Sequence, residues 1–211
     1  KRIKSSEVFI EPKLDGIRCL AIVENRKAKL FTRAGKLITN FDDTLGKELA
    51  TLNDGCYDGE IMSKDFTELM RQVYRKDGKD ISEVYFALFD YIPLKDWKTK
   101  QSQLQSWRRY EILACRLKLA NPKYLTLVER KRVKSNYDEI KKIHDTYTNQ
   151  GYEGPMIKSI SAPYCFGRDW SVMKFKAFFD ADVPIVGYKE GTGKHQNKLG
   201  SFLVDYKGVE V

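Results

Sequence analysis

The sequence predicts an α+β protein: antiparallel sheets with flanking helices over residues 1–180, followed by a short all-β segment over residues 181–211. Three observations predict this. In "GIRCLAIVE", Ile17, Cys19, Ala21 and Val23 alternate with Arg18, Leu20, Ile22 and Glu24, the two-residue period of a strand. Leu104, Trp107, Tyr110, Leu113 and Leu117 recur at three- and four-residue intervals, the period of an amphipathic helix. Beyond Asp180 the helical spacing stops and only strand-like runs remain, which places a domain boundary there.

The elements follow in order. "SEVFIEPK", "GIRCLAIVE" and "AKLFTRAG" read as strands joined by tight turns. "FDDTLGKELATL" has helical spacing, with Asp42 or Asp43 able to cap its start. "GCYDGEIM" is a strand and "FTELMRQVYRK" a helix. "EVYFALFDYI" is apolar, aromatic and β-branched, so it reads as a central strand on which Tyr85 and Phe89 share one face and Phe86 takes the other. A long helix runs through "QSQLQSWRRYEILACRLKLA", then "KYLTLVE" returns to strand. Tyr137, Ile140, Ile143 and Tyr147 mark another helix. "GPMIKSI" and "WSVMKFKAF" are strands, "FFDADVP" a linker, and "PIVGYKEGTG" and "GSFLVDYKGVEV" short strands.

Composition narrows the function. Of 211 residues, 38 are Lys or Arg and 29 Asp or Glu, a formal charge of +9. Between Arg71 and Lys134 there are sixteen basic and seven acidic residues, so this window carries a surplus equal to that of the whole chain, whereas residues 181–211 hold four of each sign. A concentrated surplus points to a polyanion such as nucleic acid. Cys19, Cys56, Cys115 and Cys165 are widely spaced, with no C-x-x-C, and there are two histidines, so a zinc site is not expected and reduced thiols in a cytoplasm are. No apolar run reaches membrane-spanning length, which predicts no membrane partner. "GTGK" at 191–194 lacks the flanking spacing of a phosphate-binding P-loop.

The chemistry starts at "EPKLDGIR". Lys13, Asp15, Gly16 and Arg18 combine a nucleophile, an acid able to orient it or a metal, a permissive backbone and a cation for phosphate or ribose. A surface lysine before an ordinary Asp-Gly turn has the same pattern. Near the far end, Lys174 and Lys176 alternate with Met173 and Phe175, so both ammonium groups leave one face of a strand.

"KLDGIR" resembles the nucleotidyl-attachment motif K-x-D-G-x-R of the covalent nucleotidyltransferases: ATP-dependent DNA ligases, some RNA ligases and mRNA capping enzymes. Further stretches follow in that superfamily's order. "FTRAG" is similar to the segment whose arginine contacts nucleic-acid phosphate, "YDGEIM" to its D-G-E segment, "YFALFDYI" to its aromatic-Asp strand, "YEGPMIK" to E-G-x-x-x-K and "WSVMKFK" to K-x-K. The resemblance is greatest to the compact phage-type ATP-dependent DNA ligases, and it covers residues 7 to 205.

The resemblance implies an ATP-grasp-like nucleotidyltransferase (adenylyltransferase) domain at 1–180 and, at 181–211, the beginning of an OB-fold barrel, incomplete because the superfamily's last basic motif has no counterpart before Val211. It implies ATP, with AMP carried covalently on Lys13, and Mg²⁺ or Mn²⁺ on Glu60 and Glu153. Lys174 and Lys176 would neutralise the α-phosphate and, by repulsion, lower the pKa of Lys13. Phe89 would stack on the base, although a core ring reads identically, and Glu11 would accept from the adenine amino group. Arg18, Glu60 and Lys158 complete the nucleotide site, and Arg33 is the DNA contact. The implied partner is nicked double-stranded DNA, handled by a monomer in a bacterium or a phage-infected host. RNA ligation or GTP-dependent capping is the alternative chemistry, and a noncatalytic nucleic-acid-binding module the alternative class.

Overall fold

The structure, a computed structural model, describes residues 5–74, 83–176 and 181–211. Its first strands are β1 (Glu7–Pro12), β2 (Ile17–Glu24) and β3 (Lys27–Thr32), with the two-residue edge strand β4 (Leu37–Ile38) closing a hairpin onto β3. Asn25 and Arg26, both at positive φ, make the tight β2–β3 turn. One π-helical turn, Asp42–Gly46, leads into α1 (Lys47–Leu49). Phe41 takes the cap position and no side chain caps the turn, so neither Asp42 nor Asp43 does the job expected of it.

Next come β5 (Gly55–Met62), α2 (Phe66–Tyr74), β6 (Tyr85–Ile92), α3 (Leu94–Thr99) and α4 (Ser106–Ala120). The end of the helix expected to reach residue 76 lies outside the described residues. Helix α4 starts five residues later than the pattern of Leu104 and Trp107 predicts. The reason is local: the N–H groups of Ser106 and Trp107 bond to the carbonyls of Ala162 and Ile160, so a loop satisfies the first donors of the helix in place of another turn.

Then follow β7 (Leu125–Leu127), β8 (Lys131–Lys134), α5 (Tyr137–Asn149), β9 (Pro155–Ser159) and β10 (Val172–Lys174). Asn136 caps α5, its side chain accepting from the N–H of Glu139 at 2.9 Å. The remaining strands are β11 (Ile185–Glu190), β12 (Leu199–Tyr206) and β13 (Val209–Glu210). Of the expected linker "FFDADVP", residues 178–180, with the boundary expected at Asp180, lie outside the described residues, and 181–184 are neither helix nor strand.

Two sheets build the unit spanning residues 1–176. The six-stranded sheet has the order β4-β3-β2-β5-β6-β7, antiparallel except for the parallel β6–β7 pair; the four-stranded sheet, β10-β9-β1-β8, is antiparallel throughout. Residues 177–211 form a separate unit, a three-stranded antiparallel sheet β11-β12-β13. Among the described residues no helix is long and apolar enough to cross a membrane.

One face of the large sheet sends Cys19, Ala21, Val23, Tyr57, Ile61, Phe86 and Leu88 into an apolar cluster with Leu45, Leu49, Leu69, Leu113 and Leu117. The opposite face of β5 carries Asp58 and Glu60, two residues apart and so on the same side. A bulge interrupts β6 here: Gly59 faces Leu88 but Asp58 faces Asp90, leaving Phe89 as the extra residue. Strict alternation after Phe86 and Leu88 would drive Asp90 into the apolar cluster. The bulge sends Tyr91 there instead and leaves Asp90 to a bidentate pair with the buried Arg109, at 2.7 and 3.0 Å.

Gly59 sits where this bulge brings two backbones together. A Cβ at residue 59 would lie 2.4 Å from the Ala87 carbonyl oxygen and 2.8 Å from the Phe86 ring. Neither neighbour is a flexible side-chain end, so Gly59→Ala is expected to lose about 2 to 3 kcal/mol of stability, read as a fall in urea midpoint at unchanged slope.

Candidate active site

Lys13 is the first residue beyond β1, and its N–H donates to the carbonyl of Gly154 at 2.8 Å, fastening it to the entry of β9. Its ammonium pairs with one oxygen of Glu153, and Lys176 pairs with the other oxygen of the same carboxylate. Positions 13, 153 and 176 therefore converge at one end of the four-stranded sheet. All three side chains keep between a quarter and about a third of their surface open, so a ligand can reach them. Gly154 makes this approach possible: its φ is +137°, and a Cβ there would stand 2.5 Å from the Phe175 carbonyl oxygen.

The large sheet supplies the facing wall. Arg18 on β2 lies across from Glu60 on β5 and forks onto Asp58, its Nε and Nη2 donating at 3.0 and 2.8 Å. The Tyr164 hydroxyl donates to the same carboxylate at 2.8 Å. Asp58, nearly inaccessible, holds the Arg18 pKa above its ordinary value, and burial pushes the Tyr164 phenol up. Gly16 lets the chain pass over Glu60 and Ile61, since its Cβ would come within 2.4 Å of the Ile61 carbonyl oxygen. Burial raises the Glu60 carboxyl to about 7, against the opposing pull of Lys13 and Arg18.

A third group lies behind these two. Glu11 is 2% exposed, and Lys158 pairs with one of its oxygens at 2.6 Å while Arg130 donates to the other at 2.6 Å. The Lys158 ammonium also stands 4.3 Å from the centre of the Phe89 ring. Phe89 is half-buried on the bulge, with Tyr85 exposed on its side and Phe86 buried opposite. Glu11 and Lys158, both expected at the nucleotide, pair with each other.

Two expected residues stand apart from these groups. Lys174 ends β10 in an exposed position and has no ion pair with another described residue. Its neighbours Met173 and Phe175 do turn inward, onto a cluster with Val8, Ile10 and Ile157. Arg33 is exposed in the turn between β3 and β4, at the edge of the large sheet, and no described residue pairs with it. Reading the sequence missed Arg130, Tyr164 and the Asp90–Arg109 pair. Asp90, a charge within an otherwise apolar run, was the signal available for the last of these.

Among the described residues no cluster of three or more acidic, histidine or cysteine side chains exists to cage a divalent cation. Glu60 and Glu153 are two hard oxygen donors gathered around Lys13, which suits a Mg²⁺ ion whose remaining ligands are phosphate oxygens and water.

A family model, ATP dependent DNA ligase domain, matches residues 1–176, and the chain belongs to that family. It is 28% identical over 219 residues to the DNA ligase of Methanosphaera stadtmanae, covering 94% of this chain and 38% of the relative. To the DNA ligase of Enterobacteria phage T6 it is 26% identical over 248 residues, covering 93% and 50%. Among solved structures it resembles Pmar-Lig_Pre with a TM-score of 0.87 and 30% identity, covering 98% of this chain and 51% of that one. The chain thus spans half or less of the length of these curated relatives.

The Glu60 carboxyl is expected to titrate near 7 by carbon NMR, and Lys13→Met to move its midpoint higher by removing a cation that favours the carboxylate. Between about 4.5 and 7 the folded chain keeps a proton that the unfolded chain releases. Stability from this group therefore declines as pH rises through that window, and Glu60→Gln flattens the decline.

Proposed function

We propose that this chain is the nucleotide-transferring part of an ATP-dependent DNA ligase, with residues 1–180 as its adenylyltransferase domain and 181–211 as the beginning of an OB-fold domain. The observation that carries the reading is the convergence of Lys13, Glu153 and Lys176 at one opening, opposite Glu60 and Arg18.

The Lys13 amine attacks the α-phosphorus of ATP, forming a nitrogen–phosphorus bond as the bond to the β-phosphate breaks and pyrophosphate leaves. The carboxylate of Glu153 stands between the two ammonium groups of Lys13 and Lys176. An incoming phosphate competes for Lys176, which then neutralises charge developing at the transferred phosphoryl group. Lys174, exposed at the end of β10 two residues before Lys176, is the second cation of this reading. Arg18, held by Asp58 and Tyr164, and the partly buried Glu60 bracket the ribose. Glu60 and Glu153 would hold Mg²⁺, which supplies charge neutralisation on the phosphates.

The adenylyl group then passes from Lys13 to the 5′-phosphate at a nick in double-stranded DNA, and the 3′-hydroxyl displaces AMP to close the strand. Arg33, exposed on its hairpin, is placed to meet backbone phosphate, a contact that carries no sequence information and suits an enzyme that seals any sequence. A cytoplasmic setting and a monomeric state accompany this reading.

Incubation with α-labelled ATP and separation on a denaturing gel tests it. Wild-type protein is expected to retain label, release it on addition of nicked DNA, and give no label with GTP; retention of label by Lys13→Ala would overturn the assigned nucleophile. Lys176→Ala should slow adduct formation by about 10² to 10³, the usual cost of one charge-stabilising group. Nick binding should weaken steeply between low and moderate salt.

A further inference from the structure

Arg130 lies between β7 and β8, where the chain leaves the six-stranded sheet for the four-stranded one. Its side chain is 1% exposed. Nε donates to Glu11 at 2.6 Å and Nη2 to the carbonyl of Phe89 at 2.9 Å. Nη1 reaches the carbonyl and hydroxyl of Ser106, each at 3.3 Å. The guanidinium carbon lies 4.2 Å from the Tyr110 ring centre and 5.0 Å from that of Phe9. One buried cation thus grips both the acid two residues before Lys13 and the backbone of the aromatic residue on the β6 bulge.

We propose that Arg130 sets the choice of purine, acting through Glu11 as a positioning residue; the inference rests on the ATP-dependent reading above. A carboxylate offers about four lone pairs and no donor. Arg130 occupies a site on one oxygen and Lys158 a site on the other, so the positions left on Glu11 can only accept. A fixed acceptor takes the amino group of a 6-aminopurine and meets the carbonyl of a 6-oxopurine with an unpaired, repelled lone pair. Because Arg130 also bonds to the Phe89 carbonyl, the acceptor and the ring that would carry the base keep a constant spacing. Arg130 itself has its donors committed inside the protein and does not meet the nucleotide.

The test compares ATP with ITP, which differ at the 6-position, in formation of the covalent adduct by wild type, Arg130→Met, Arg130→Lys, Glu11→Gln and the Arg130→Lys/Glu11→Gln double variant. Replacing Arg130 by Met should lower the ATP:ITP ratio of kcat/KM by about a hundredfold, a fraction of what a donor-reading site can achieve, chiefly by raising KM for ATP with kcat kept within a few-fold. Lys should restore part of the ratio. Glu11→Gln, whose amide can turn to donate, should lower the ratio alone, and adding Arg130→Lys should lower it no further.

If Arg130→Met fails to fold, the Lys and Gln variants carry the same comparison. Equal losses for ATP and ITP would mean that Arg130 only packs, and would overturn the proposal, as would additive losses in the double variant. A wild type that forms no adduct with ATP brings down the activity reading beneath it; a wild-type adduct with an ATP:ITP ratio that no Arg130 variant moves sinks this inference alone.

Discussion

The arrangement depends on one carboxylate holding two lysines. Glu153 joins Lys13, just past the first strand, to Lys176, just past the tenth, and so brings the ends of a 164-residue stretch to one point. Two ammonium groups left alone close together would repel each other; the shared anion makes their proximity stable. The glycine after Glu153 lets the carboxylate approach, and the Lys13 backbone bond to that glycine fixes the register. Much of the four-stranded sheet serves this geometry: β9 pairs with both β1 and β10, so the strands leading to all three residues are neighbours.

The facing wall solves a different problem, that of keeping charges in a buried sheet. Asp58 and Asp90 are each almost inaccessible, and each carries a guanidinium partner. Removing one partner from such a pair is costly because the other is left uncompensated. The bulge at Phe89 belongs to this solution, since it rotates Asp90 out of the apolar cluster. Glu60 is the exception: it sits partly buried near two cations with no direct ion pair to another described residue, and burial raises its carboxyl.

What could be read beforehand follows from the range of the interactions. Strand patterning disclosed β1, β2, β3, β5 and β6, by strict alternation in β2 and by an apolar, aromatic run of strand length in β6, because each has one face in an apolar cluster. β8, "KRVK", has one apolar residue and becomes a strand only through its pairing with β1, a contact more than 120 residues away. The edge strand β4 is two residues long, and α3 buries none of its residues, so neither had a pattern to display. In the site, Lys13, Glu60, Glu153 and Lys176 were legible as motif residues. Arg130 was not: it looks like one basic residue in a basic run, and its role comes from Glu11, 119 positions earlier.

The loop between β9 and β10 has a mechanical consequence. Its carbonyls at 160 and 162 bond to the start of α4, Ala162 also accepts from Arg109, and Tyr164 reaches Asp58 on the large sheet. Phe166 adds an aromatic contact with Trp97. The segment that leads to Lys174 and Lys176 is therefore clamped to α3, α4 and the large sheet. Local fraying of the last strand would have to break those clamps, so amide protons in the two sheets of residues 1–176 should exchange as one cooperative unit, without an early-opening flap at β10.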